Sequence, residues 1–179
     1  RRAKLPGHGF WAVPAKELHD RAAIQIPKIL YDRLGDFGLD FAVLYPTSPS
    51  LTRSGYLPDD ELRQGGLRAF NRYAWDMFGA YADRMTPVAM IPMHSPKEAI
   101  AELEAVKRLG FKAICMTGPV QRPMPGRPGH TYWDMLALDS DYDYDPVWAK
   151  CQELGFAPTF HTLTSSYGYR TSRSNFVFN

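Results

Sequence analysis

The stretch Gly155-Phe156-Ala157-Pro158-Thr159-Phe160-His161 reads as a helix stop followed by a short strand that ends on a histidine. Glycine tolerates the left-handed backbone that closes a helix. Upstream, Asp145-Pro146 supplies a matching start, Asp accepting orphan N–H groups and Pro pre-set for the first helical position. Between start and stop, Trp148, Cys151 and Leu154 share one helical face. The same order recurs twice. Ser95-Pro96-Lys97-Glu98 is a capping box, Ile100, Leu103 and Val106 form an apolar face, and Gly110 closes the helix before Phe111-Lys112-Ala113-Ile114-Cys115-Met116. Gly38-Leu39-Asp40 precedes Phe41-Ala42-Val43-Leu44-Tyr45 in the same way. Strands separated by helices long enough to cross over become parallel neighbours, so the expectation is an α/β fold built on one largely parallel sheet.

Working outward, a helix is expected over 27–37, then a strand over 41–45. A loop opened by Pro46-Thr47-Ser48-Pro49-Ser50 follows, and Pro58-Asp59-Asp60-Glu61 starts the longest helix, about 59–84. Leu62, Ala69, Phe70, Tyr73, Met77, Phe78 and Tyr81 are its expected buried stripe. Pro87 to Met93 is a near-continuous apolar run, as suits a strand covered on both faces. Strands are thus expected at 41–45, 88–93, 112–116 and 157–161, paired in chain order with right-handed crossovers. Residues 1–179 read as a single α/β domain, with an irregular arm over 1–20 and a long excursion of Pro, Gly and charge over 118–143. A closed (β/α)8 barrel needs eight strands in about 250 residues, so a barrel would be only about half in view.

Composition narrows the function classes. The 179 residues are 45% hydrophobic and carry a formal charge of +2, which is enough apolar content for a core and too balanced a charge to suggest nucleic acid or an anionic membrane as partner. No apolar run approaches the roughly 20 residues of a membrane span. Arg1-Arg2-Ala3-Lys4 lacks the apolar segment of a secretion signal, so a cytoplasmic location is expected. The start lacks Met and the end has no clear stop, which suggests a piece of a longer protein. Cys115 and Cys151 have no metal-type spacing and read as small buried hydrophobes rather than a disulfide.

Chemistry in parallel α/β proteins collects where strands end at the C-terminal edge of the sheet. His161 ends its strand, His94 follows Met93, Thr47 follows Tyr45-Pro46, and Thr117-Gly118 follows Met116. His161 reads equally well as a buried, doubly bonded histidine or as a site residue. His94 stands just before the Ser95 cap and favours a structural role, with substrate binding as the lesser reading. His8, His19 and His130 read as surface residues. No His-x-His, His-Glu-x-x-His, Cys-x-x-Cys, P-loop or Gly-x-Ser-x-Gly is present. The acidic run Asp139 to Asp145 lacks the EF-hand glycine and terminal Glu and reads as a solvated approach to the next helix.

Taken together, Phe41 to Thr47, Arg68 to Tyr73, Arg84 to Met93, Asp143 to Trp148 and Phe160-His161 resemble the amidohydrolase-related metal-dependent hydrolases, the family that includes aminocarboxymuconate semialdehyde decarboxylase. The resemblance covers nearly the whole chain. It implies a TIM barrel with a divalent metal, usually zinc, at the C-terminal face. The family's ligands are a His-x-His on the first strand, a histidine ending the fifth and an aspartate ending the eighth, with a further catalytic histidine after the sixth. His161 is similar to the fifth-strand ligand, and the other positions have no counterpart here. The implied activity is metal-dependent hydrolysis or non-oxidative decarboxylation of a small carboxylated or aromatic substrate, by a homo-oligomer, with the metal supplying Lewis acidity or bound hydroxide. The alternative is an α/β scaffold or interaction module without a complete metal site. A phosphate-binding barrel is a weaker third reading, since it calls for glycine-rich loops at late strands.

Overall fold

The computed structural model describes residues 17–46, 59–116, 118–136 and 140–161. The chain divides into two compact units, residues 1–42 and 43–179.

In the first unit, α1 (Leu18–Gln25) is followed directly by α2 (Pro27–Arg33), with Pro27 at the first helical position, and by a 3-10 turn at Gly35–Phe37. The single helix expected over 27–37 therefore tightens after Arg33. The Leu39 N–H returns to the Leu34 carbonyl around Gly38, whose φ of 69° no β-carbon-bearing residue adopts cheaply. Arg33 donates to Asp20 at 2.7 Å and lies 5.1 Å over the Phe37 ring, which fastens the two helices to each other. Leu18 to Asp20 is the first turn of a helix rather than the end of an irregular arm, and most of that arm lies outside the described residues.

The second unit carries a four-stranded parallel sheet in the order β1-β2-β3-β6, where β1 is Ala42–Leu44, β2 Met85–Ile91, β3 Ala113–Met116 and β6 Pro158–Phe160. β2 and β3 run parallel in the register Ala89 with Ile114 and Ile91 with Met116. β3 and β6 run parallel with Cys115 opposite Thr159. The four expected strands are all present and neighbour one another in chain order. β2 begins three residues earlier than expected, and all seven of its residues are buried.

Three helices accompany the sheet: α3 (Asp60–Phe78), α4 (Pro96–Leu109) and α5 (Asp145–Leu154). One face of the pleat supplies Ala89, Ile91, Ile114 and Met116 to a core shared with Ala99, Leu103 and Val106 of α4 and Val147 and Cys151 of α5. The other face gathers Val88, Met90 and Cys115 against Leu67 of α3. Cys115 and Cys151 are both buried and free, in different clusters.

Helix ends follow local chemistry. Ser95 Oγ accepts from the Glu98 N–H, and Gly110 closes α4 at φ 109°. At α5 the expected cap moves: Asp145 is the first helical residue, Tyr144 precedes it, and Asp143 takes the Asp145 N–H at 2.9 Å. Gly155 closes α5 as expected.

Two expectations fail here. α3 ends at Phe78, six residues early, and runs into a 3-10 turn at Gly79–Tyr81. Its buried face is Arg63, Leu67, Asn71 and Ala74, whereas Leu62 and Tyr73 are 61% and 59% exposed. The long excursion over 118–143 has structure of its own. It holds an antiparallel hairpin of β4 (Val120–Pro123) and β5 (Thr131–Asp134), pairing Gln121 with Trp133, and two glycines at positive φ, Gly126 and Gly129, shape the turn between them.

Candidate active site

The C-terminal ends of β2, β3 and β6 lie on one edge of the sheet, since the three strands are parallel. His94 comes three residues after β2 and His161 one residue after β6. Thr159 sits opposite Cys115, so Thr159 and Cys115 point to one face and Phe160 with Met116 to the other. Phe160 accordingly approaches Trp148 of α5, with ring centroids 6.3 Å apart. Continuing the alternation puts His161 on the Cys115 face, at the sheet edge, where it is exposed. Thr159 Oγ1 donates to the Ile114 carbonyl at 2.6 Å and fixes this last strand to its neighbour just before the histidine.

Around His94 the fold assembles two arginine clusters from separate elements. Arg63, on the first turns of α3, is buried and pairs with Glu98 in the first turn of α4; its Nη2 also donates to Asp60 at 2.8 Å. Desolvation opposes the Arg63 charge, but the hydrogen bonds and charges of Glu98 and Asp60 outweigh it and raise the guanidinium's pKa overall. In the second cluster Arg122 of β4 donates to Asp134 of β5 at 2.8 Å and to the Tyr144 hydroxyl at 3.0 Å. Tyr144 in turn donates to the Met93 carbonyl at 2.7 Å, and burial pushes its own pKa up to about 12, so it acts as a neutral relay. Asp134 is held further by the Leu136 N–H and the Ser140 hydroxyl. The hairpin is thus tied to the carbonyl of the residue before His94.

His94 responds to this setting. Burial first, then the charges of Arg63 and Arg122, lower its pKa to about 4, against a smaller opposing pull from Asp60. At neutral pH it is an uncharged imidazole. Its Nδ1 is buried and has no hydrogen-bond partner among the described residues. Arg63, Arg122, Asp134 and Tyr144 carry no motif. The bonds that join them across elements reach 12 to 51 residues away in sequence, out of reach of any local pattern. Of the other strand-end candidates, Gly118 is partly buried, and Thr47 and Thr117 lie outside the described residues, as does His8. His19 and His130 are exposed.

The amidohydrolase family model matches residues 17–176. The chain belongs to the amidohydrolase family. Solved structures with the same fold over the shared part include an amidohydrolase from Mycobacterium avium subsp. paratuberculosis K-10 (20% identity, TM-score 0.59, covering 83% of this chain and 37% of that one). A 2,6-dihydroxybenzoate decarboxylase complexed with 2,6-dihydroxybenzoate matches at 22% identity and TM-score 0.56, over 76% of this chain and 39% of that one. The 5-carboxyvanillate decarboxylase LigW2 of Novosphingobium aromaticivorans DSM 12444, with bound manganese and 3-methoxy-4-hydroxy-5-nitrobenzoic acid, matches at 20% identity and TM-score 0.53, over 92% and 42%. The chain therefore spans about two fifths of the length of these relatives, and its sheet corresponds to about half of their TIM barrel. No helix among the described residues is long and apolar enough to cross a membrane.

This family membership raises the question of a metal. Among the described residues no group of three or more His, Cys, Asp or Glu side chains comes together as a cage. His161 is exposed at the end of its strand and can supply at most one position of a coordination sphere. A catalytic zinc takes about three protein ligands, so these residues alone do not make a metal site.

Proposed function

We propose that this chain is part of a metal-dependent amidohydrolase-family enzyme that removes CO2 from a small aromatic carboxylate, with His161 as one ligand of a single divalent ion, zinc or manganese. The observation that carries the reading is the family match over residues 17–176 together with an accessible histidine at the end of β6 on the reactive edge of a parallel sheet. The choice of decarboxylation over hydrolysis rests on the solved relatives, which include decarboxylases of 2,6-dihydroxybenzoate and 5-carboxyvanillate. When bound, such an ion supplies Lewis acidity toward substrate oxygens.

The chain's own residues would do the rest. His161 presents its imidazole at the exposed end of β6. The Arg63–Glu98 pair fastens α3 to α4, and the Arg122–Asp134–Tyr144 chain fastens the hairpin to the residue that precedes α5. A homo-oligomer in the cytoplasm completes the proposal.

The test uses the full-length protein. Elemental analysis should find about one divalent ion per subunit. CO2 release should be detected from one of a panel of hydroxylated benzoates that includes 2,6-dihydroxybenzoate and 5-carboxyvanillate. His161→Ala should lose both metal and turnover, with thermal stability falling only by what the lost ion contributes through mass action. Folded His161→Ala with wild-type metal and rate would refute the ligand assignment. A full-length protein with no ion and no turnover would favour the non-catalytic scaffold.

A further inference from the structure

We propose that His94 is a specificity-determining residue that recognises an anionic oxygen of the ligand, a carboxylate or phenolate, at the mouth of the sheet near the Arg63 and Arg122 clusters. The proposal rests on the small aromatic carboxylate reading above but not on the metal. Four observations lead to it. The first is placement: Val88 and Met90 belong to the same face as Cys115, and the two-residue alternation carried past β2 puts His94 on that face. His161 reaches the same face from β6. Strands two apart in a sheet are separated by roughly 10 Å, the span of a small aromatic ligand.

The second is surroundings. Arg63 and Arg122 both act on the His94 ring, and each is fixed by carboxylates on other elements, Glu98 with Asp60 and Asp134 respectively. The two guanidiniums are therefore held in place rather than free to swing toward a ligand. The imidazole near both is the group left to make a new contact. The third is the tautomer: Nδ1 is buried with no acceptor among the described residues, so the N–H of the neutral ring belongs on Nε2, the other ring nitrogen. The fourth is access: the residue as a whole is only partly buried, so the remainder of the ring can be reached from the edge.

Neutral imidazole keeps one N–H. A hydrogen bond from that N–H to an anionic oxygen is charge-assisted, a gain that a neutral ligand does not make. Recognition of this kind discriminates a carboxylate from its uncharged amide by shape-matched comparison, which gives the test. Full-length protein is titrated with benzoate and with benzamide, following intrinsic Trp fluorescence. Wild type should prefer benzoate by about tenfold or more, the range expected of a charged hydrogen bond. His94→Phe should bring the two dissociation constants to within about twofold of each other, mainly by weakening benzoate, while metal content is unchanged. His94→Gln, which keeps a donor, should retain a good part of the preference.

Should His94→Phe fail to fold, His94→Leu takes its place. If both fail, His94 is a structural residue and the proposal is overturned. It is equally overturned if wild type shows no preference for benzoate or if His94→Phe keeps the wild-type preference. Failure of the enzymatic reading looks different: no ion and no CO2 release, with the benzoate preference and its loss in His94→Phe intact.

Discussion

Asn71 shows how much one polar residue can carry in this fold. Its side-chain amide accepts from the Met90 N–H at 2.8 Å, donates to the Met90 carbonyl at 2.8 Å, and donates to Glu102 of α4 at 2.8 Å. One side chain replaces a peptide group of a neighbouring strand and ties α3 to both β2 and α4. Asn71→Ala leaves a buried N–H, a carbonyl and a carboxylate short of partners, and should cost about 3 kcal/mol or more by urea unfolding. Asn71→Asp should be worse at neutral pH, because it sets a second carboxylate against Glu102, and should recover as the pH is lowered and one of the pair takes a proton. His94 supplies the opposite pH signature. Its pKa is about 4 when folded and 6.5 when free, so below pH 6.5 the unfolded chain binds a proton that the folded chain refuses. The stabilising contribution is complete above pH 6.5 and is lost as pH falls toward 4, by roughly 2–3 kcal/mol given the ring's partial exposure. Unfolding midpoints between pH 7 and 4 should fall less steeply in His94→Gln than in wild type.

At the scale of elements, two helix stops that look alike in sequence differ in their surroundings. Gly110 and Gly155 each end a helix in the left-handed region, at φ 109° and 69°. A Cβ on Gly155 would meet nothing within 4 Å, so Gly155→Ala should cost only the backbone penalty, about 1–2 kcal/mol. A Cβ on Gly110 would lie 2.7 Å from Trp75 Cζ2, whose ring is packed 5.1 Å from Phe111. Gly110→Ala should therefore add a packing clash and cost at least about 3 kcal/mol, measured by the same denaturant titration. The helix, glycine, strand order was legible because each of its signals is local: a cap, a period, a stop. The face of α3 was not, because Arg63 and Asn71 are buried through Glu98, Met90 and Glu102, partners 19 to 35 residues away, while the aromatic Tyr73 is exposed. Periodicity weights residues by hydrophobicity alone, so it found the partly buried Phe70, Met77 and Phe78 but took in the exposed Leu62, Ala69 and Tyr73 and missed Arg63 and Asn71. The hairpin had a readable trace, Pro-Gly-Arg-Pro-Gly before Thr131-Tyr132-Trp133, but its strands are only four residues each and sit among charges. His161 could be placed at the edge by strand counting. The Arg63 and Arg122 clusters beside His94 could not.

For the molecule as a whole, a four-stranded parallel sheet has two terminal strands. β1 leaves Val43 and the adjoining Tyr45 exposed, and β6 leaves Phe160 52% exposed. Parallel sheets of this kind are ordinarily buried on both faces and continued at their edges. The 179-residue chain expressed alone should consequently self-associate. Size-exclusion chromatography with light scattering should show species above 20.3 kDa that shift with concentration. A sharply melting, strictly monomeric product would count against that expectation. At the opposite extreme of rigidity stands the Tyr144 hydroxyl on the Met93 carbonyl. That carbonyl and the backbone nitrogen of His94 belong to one peptide unit, which is planar and cannot bend between them. The unit works as a crank: any tilt of the hairpin, passed through Arg122 and Tyr144, must turn the peptide as a plate and swing the root of the His94 side chain with it.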